Sequence, residues 1–168
     1  MDDKSVYCVL CESKKEAVAE LYLRKSGYNV ISSLVEMTVI KDRKVKTVLR
    51  PIIPGYIFLE TEQALNYFEW KKICKVECIY YPLKYQDNQR KLRGKDLEFT
   101  HFLKRNKGII KKSKAVEVGN KVKILEGPLK EFEGKIVKIN RRKKYAAVKI
   151  EGEGIDKIIW LSYEIIGE

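Results

Sequence analysis

Between Lys121 and Leu125 cations and apolar side chains alternate with a period of two, which puts an apolar set on one face and lysines on the other. That is the pattern of a half-buried strand. Gly127-Pro128 then supplies turn chemistry, since glycine tolerates positive φ and proline fixes φ and removes a donor. Gly134–Ile139 and Tyr145–Ile150 read as two further strands joined by the polar tip Asn140-Arg141-Arg142-Lys143-Lys144, a hairpin with a basic loop. Two more runs, Ile155–Leu161 and Ser162–Ile166, bring the count to five short strands, enough for a small barrel.

The chain before this stretch alternates between strand and helix patterns. Val6–Cys11 reads as a strand and Lys14–Lys25 as a helix, with Ser13 and Glu16 spaced as a capping box and Gly27 just past the end. Val18, Leu21 and Tyr22 share one stripe, so that stripe is expected to lie on a sheet. After a strand at Tyr28–Ile31, Val35–Ile40 and Val45–Arg50 flank the polar tip Lys41-Asp42-Arg43-Lys44 and predict a hairpin. In Arg50–Leu59 two prolines bracket an isoleucine pair and Pro54-Gly55 turns directly into an unbroken apolar run, a strand covered on both faces. One cover is the domain's own helix, and the other is either more core or a partner.

Thr61 is placed to cap a short helix through Phe68, with Ala64, Leu65 and Phe68 inward, and Val76–Leu83 follows as a strand. Leu92, Phe99, Phe102 and Leu103 recur at helical spacing before the cationic Lys104–Lys107 and Gly108, which suits a helix C-terminus. This order predicts an α+β sandwich. The linker Ile109–Glu117 spans at most about 30 Å when fully extended, so the two modules are expected to be close and separable.

Charge adds an asymmetry. Residues 1–103 hold 18 lysines and arginines against 14 carboxylates, whereas residues 104–168 hold 17 against 9, so most of the net +12 sits in the smaller C-terminal part. Gly134–Ile150 contains seven cations and no carboxylate. Such a distribution points to a polyanionic partner, most often nucleic acid, against the plainer reading of a solvated basic face. No stretch approaches 18 apolar residues and the start lacks a basic segment leading into an apolar one, so a cytoplasmic protein with no membrane contact is expected.

The residues for catalysis are missing. There is one histidine, His101, within a helical pattern, and no Gly-rich phosphate loop, His-Glu-x-x-His or Gly-x-Ser-x-Gly motif. Cys8, Cys11, Cys74 and Cys78 have spacings that could hold zinc. A separation of three along a strand turns Cys8 and Cys11 to opposite faces, however, which favours buried reduced thiols. The expectation is a non-enzyme with no metal and no cofactor. A helix-turn-helix pattern is also lacking from the basic half.

Both parts resemble one family. Ser5-Val6-Tyr7-Cys8-Val9-Leu10 and Pro54-Gly55-Tyr56-Ile57-Phe58 resemble the opening strand and Pro-Gly-Tyr signature of the NusG N-terminal (NGN) domain. Val118-Gly119, Lys121-Val122-Lys123-Ile124, Gly127-Pro128-Leu129, Gly134 and Val137 resemble the KOW domain. The resemblance implies an α+β NGN domain over residues 5–107, an antiparallel sheet with helices, then a linker at 108–117 and a small all-β SH3-like KOW barrel over 118–168. It further implies a monomeric transcription elongation factor that docks on the clamp helices of RNA polymerase through a hydrophobic concavity formed by Tyr7, Leu10, Ile53, Pro54, Tyr56, Ile79 and Tyr81. Val6 stands where the family usually has tryptophan.

The general factor carries a Phe-Gly-Arg-x-Thr-Pro loop for contacts with Rho and a ribosomal protein, and here the corresponding place reads Glu153-Gly154-Ile155-Asp156-Lys157. Gly127-Pro128-Leu129 and Ile139–Lys144 look instead like the specialised LoaP paralogues, antiterminators of long operons that recognise RNA. The helical switch of RfaH is disfavoured by the period-two pattern. On this reading Lys135, Lys138, Arg141, Arg142, Lys143 and Lys144 gather on one rim and bind nascent RNA, as a single strand or a hairpin, with Lys130 and Tyr145 flanking them. The alternatives are a housekeeping NusG factor and a ribosome-associated KOW protein that binds ribosomal RNA; a zinc-dependent enzyme is the weakest.

Overall fold

The structure is a computed structural model that describes residues 4–167. Strand β1 (Ser5–Cys11) is buried on both faces because it carries no polar side chain beyond Ser5. Between Cys11 and the strand that follows lies α1 (Glu16–Lys25), and then β2 (Asn29–Ile31). Strands β3 (Leu34–Lys41) and β4 (Lys44–Pro51) form the expected hairpin, and β5 (Tyr56–Thr61), α2 (Tyr67–Cys74), β6 (Ile79–Pro82) and α3 (Gly94–Arg105) complete the N-terminal part. The first sheet is antiparallel in the order β2-β5-β1-β6.

Strand alternation sorts the side chains of this sheet into two cores. Tyr7, Val9, Cys11, Ile57 and Leu59 pack with Ala19 and Leu23 of α1 and Trp70 and Ile73 of α2. Val6, Cys8 and Phe58 face the other way, toward α3, where the Phe58 and Phe99 rings meet edge-on at 5.9 Å. Cys8 and Cys11 therefore lie on opposite faces, as the spacing requires. Among the described residues no helix is long and apolar enough to cross a membrane.

Two helices differ from expectation in how they sit. On α1, Val18, Leu21 and Tyr22 are exposed, and Ala19 and Leu23 face the sheet instead. The small Ala19 lets the helix approach the strands closely, which a Val18 or Tyr22 face would prevent. Ser13 does not cap: the N-cap position is Lys15 with no side-chain bond, and Glu16 Oε1 accepts from the backbone N–H groups of Lys14 (3.1 Å) and Gly55 (2.9 Å). The second helix begins later than expected because Asn66, with Glu69, forms the capping box, while the Thr61 hydroxyl donates to the Gln63 carbonyl. Phe68 is consequently exposed, and Trp70 and Ile73 point inward.

The segment 108–117 is not a free tether. Gly108 ends α3 with φ +80°, β7 (Ile109–Ile110) pairs in parallel with β3, and β8 (Ser113–Val118) belongs to the C-terminal sheet. That sheet adds β9 (Lys121–Glu126), β10 (Ile136–Asn140), β11 (Tyr145–Glu151) and β12 (Asp156–Ile165) in the order β10-β11-β12-β8-β9, with β12 and β8 parallel, and makes a half-barrel. Pro128–Lys135 is a 3-10 segment rather than the opening of a strand at Gly134, because Leu129 and Phe132 are both drawn into the core at helical spacing. The two runs expected at 155–161 and 162–166 are one strand.

Candidate functional site

Three side chains line up across the first sheet. Leu10 lies opposite Tyr56 on β5 and opposite Tyr81 on β6, so all three project from the same face, the one away from α1 and α2. Leu10 and Tyr56 are half-buried, Tyr81 is 59% exposed, and Pro54 is exposed at the turn leading into β5. Gly55 holds that turn at φ +83°, and its carbonyl accepts from Cys11 N–H at 2.8 Å. Burial, with Cys8 and Tyr81 nearby, raises the Tyr56 phenol above its ordinary value. The Lys157 ammonium lies 5.7 Å from the centre of the Tyr56 ring.

The other three residues expected in this concavity do not join it. Tyr7 and Ile79 belong to the opposite core, where Tyr7 packs edge-on against Trp70 at 5.1 Å and its hydroxyl accepts from Leu65 N–H at 3.1 Å. Tyr7 is an odd number of residues from Leu10 and so faces the other way, and a register shift between Leu10 and Cys11 pairs Ile79 with Cys11, whose side chain lies in that same core. Ile53 faces the correct side but is 4% exposed, a core residue.

The two domains share a continuous core, in which Phe102 and Phe132 meet edge-on at 4.9 Å. At its centre is Asp96, fully buried in the first turn of α3. Its carboxylate accepts from the backbone N–H of Gly154 (2.8 Å) and of Ile155 (2.9 Å), both in the β11–β12 turn, and from the Tyr85 hydroxyl (2.6 Å). Burial and the Asp96 bond raise the Tyr85 phenol. Arg93 stacks over the Tyr85 ring at 4.1 Å and pairs with Asp87 and Glu153, each at 2.8 Å. Farther along, Ser162 donates to the Glu36 carbonyl, Lys112 N–H donates to Glu36 Oε1 at 3.0 Å, and the Tyr145 hydroxyl donates to the Thr38 carbonyl at 2.8 Å.

The residues expected to bind RNA separate into two groups. Arg141, Arg142 and Lys143 are exposed and Lys144 half-buried at the β10–β11 tip, with Lys138 exposed on the edge strand β10. Lys130 and Lys135 sit on the 3-10 segment at the far end of β10, so a single rim holding all of them is corrected. Lys130 is engaged by Glu133 at 2.9 Å, and Lys135 lines a recess with Phe102, Arg105 and Glu131. Arg141 is held by Glu117 (3.4 Å) and the Asn120 carbonyl (3.2 Å). Tyr145 turns toward the N-terminal domain rather than outward.

Several residues at these sites carried no motif. Asp96 had one available signal: positions 96, 99, 100 and 103 form a helical stripe that is buried throughout, and an acid on an apolar stripe needs donors. Lys157 and the β3–β4 cations had no signal beyond charge.

An α+β domain with a Pro-Gly-Tyr strand followed by a KOW-type half-barrel defines the class. Residues 4–99 match the family described as transcription termination factor NusG, and residues 118–152 match the KOW motif. The chain belongs to the NusG family of transcription factors, which usually act with RNA polymerase. The fold is also similar to the solved structure titled "Domain interaction in Thermotoga maritima NusG", with a TM-score of 0.52 and 22% identity over 95% of this chain and 93% of that one. No curated protein matches the chain.

Proposed function

We propose that this protein is a specialised elongation and antitermination factor that joins RNA polymerase to nascent RNA. The polymerase clamp helices dock on the row Tyr56–Leu10–Tyr81 with Pro54, and the Arg141–Lys144 tip, with Lys138, neutralises RNA phosphates. Closed into an SH3-like barrel, the KOW domain presents that tip at one end. The protein acts in the cytoplasm as a monomer and without catalysis.

The observation that carries this reading is the separation of an apolar, partly exposed row on one domain from a carboxylate-free cationic tip on the other. A second supports the specialised branch over the housekeeping factor. The β11–β12 turn, where the general factor carries its Rho and ribosome loop, is committed here to Asp96 through Gly154 and Ile155.

The test has two arms. Polymerase co-purifying with the full chain should be lost on Tyr56→Ala, and RNA affinity should fall when Arg141, Arg142, Lys143 and Lys144 are replaced together by Ala. Retained polymerase binding by Tyr56→Ala would refute the docking row. Loss of neither polymerase nor RNA, with ribosomes co-purifying instead, would favour the ribosome-associated reading.

A further inference from the structure

The β3–β4 hairpin ends in a second cationic tip. Lys41 lies directly opposite Lys44, with Lys46 two pairs behind on the same face and Arg43 at the turn. Like charges placed opposite one another oppose strand pairing, and the turn sets Asp42 and Arg43 at φ +53° and +63°, a conformation that Asp tolerates but Arg adopts rarely. Among the described residues no carboxylate pairs with Lys41, Arg43, Lys44 or Lys46, and all four are exposed. A fold that concentrates unneutralised charge on a strained tip spends stability there, which a bound polyanion would recover.

The joint brings this tip beside the one at Arg141–Lys144. Tyr145, next to Lys144, donates its hydroxyl to Thr38 on β3. Thr38 is three residues from Lys41, or about 10 Å along a strand. At the joint Tyr145 is half of an aromatic pair: the Tyr145 and Trp160 rings are 6.5 Å apart, and Trp160 is partly exposed on β12. Cations and an accessible indole on one face are the elements that hold a nucleic-acid backbone while a base stacks.

We infer that the β3–β4 tip, through Lys41, Arg43, Lys44 and Lys46, forms with Trp160 and the Arg141–Lys144 tip one RNA-binding surface that exists only when the two domains are docked. This rests on the proposed RNA contact of the C-terminal tip and extends it across the joint. The ligand is a single RNA strand or the loop of an RNA hairpin, because unstacked bases are what an exposed indole can take.

The probe is a short RNA stem–loop bound to the full chain and followed by fluorescence anisotropy across a salt series. Replacing Lys41, Arg43, Lys44 and Lys46 by Ala should lower the slope of log K against log salt by about 3, on roughly 0.7 per phosphate contact. Trp160→Ala should weaken binding on the order of tenfold. Asp96→Ala, which removes no cation, should lower the slope nearly as much by loosening the joint. If the Ala set fails to fold, Lys44→Gln with Lys46→Gln, both exposed, should lower the slope by about 1.4.

The outcomes separate this inference from the reading beneath it. An unchanged slope in the β3–β4 variants, with binding lost on replacing Arg141–Lys144, overturns the shared surface and leaves the RNA contact standing. No effect from either set removes both. Tighter binding to duplex DNA of the same length, lost in the β3–β4 variants, overturns the inference in favour of a DNA surface.

Discussion

Replacing Asp96 by Ala tests the joint at its most costly point. The carboxylate is fully buried and is the acceptor for two backbone N–H groups in the β11–β12 turn, which cannot rotate to find others. A buried donor left unpaired costs about 1–3 kcal/mol, so two of them give about 2–6, and water entering the vacated space brings the expectation to about 3 kcal/mol. Arg93 offers the control. It bridges the same joint to Glu153 at 2.8 Å, but the two side chains are 43% and 56% exposed, where solvent screens the pair.

Urea unfolding of the full chain with amide exchange at Gly154 and Ile155 reads both terms. Asp96→Ala should lower the stability of the joint by about 3 kcal/mol and release both amides to fast exchange. Arg93→Ala should shift stability far less than Asp96→Ala does and leave those amides protected. Equal effects from the two variants, or Gly154 still protected without Asp96, would refute the argument.

Three other perturbations follow from the same structure. Burial pushes the Cys11 thiol up from 9.0 to about 11, so between those values the unfolded chain loses a proton that the folded chain keeps, and stability falls as pH rises. Cys11→Ala should make that decline shallower in urea midpoints taken across the window, and parallel curves would count against it. Asn66→Ala removes the capping box of α2 and should cost about 1 kcal/mol by thermal unfolding, where Thr61→Ala costs less. Gly55→Ala places a side chain at φ +83° with its Cβ 2.9 Å from the Cys11 carbonyl oxygen, and should cost about 1–3 kcal/mol in the same assay.

Much of the layout was legible because it depends on local periodicity. The β3–β4 hairpin, the doubly covered β5, the third helix ending at Gly108 and the opposed cysteines all follow from spacing alone. What was not legible depends on contacts distant in sequence. The inward face of α1 was misread because three large side chains outweigh one alanine in any stripe, whereas close approach to a sheet rewards the small residue. The proposed docking row was half visible: Leu10, Tyr56 and Tyr81 share its face and the odd spacing from Leu10 puts Tyr7 on the other, but only the register shift that pairs Cys11 with Ile79 reveals where Ile79 lies. The cationic tip was visible as charge, yet Glu117 and Asn120 hold Arg141 from across the half-barrel, which no local pattern encodes.

The joint also constrains how two partners could be held together. One strand, β12, serves both proposed surfaces: Lys157 near its start lies over Tyr56, Trp160 packs beside Tyr145, and Ser162 bonds β3 through the Glu36 carbonyl. Separating the domains means breaking the Asp96 latch, at about 3 kcal/mol, together with the Phe102–Phe132 contact. Moving Lys157 off Tyr56 forfeits only an exposed cation–π contact, about 0.5–1 kcal/mol. The smaller rearrangement is therefore a side-chain one, and it uncovers the phenol of the docking row while leaving the Tyr145–Thr38 bond in place. A polymerase contact that used this route would leave the paired cationic tips assembled for RNA; one that needed the joint open would have to supply the larger sum from its own binding energy.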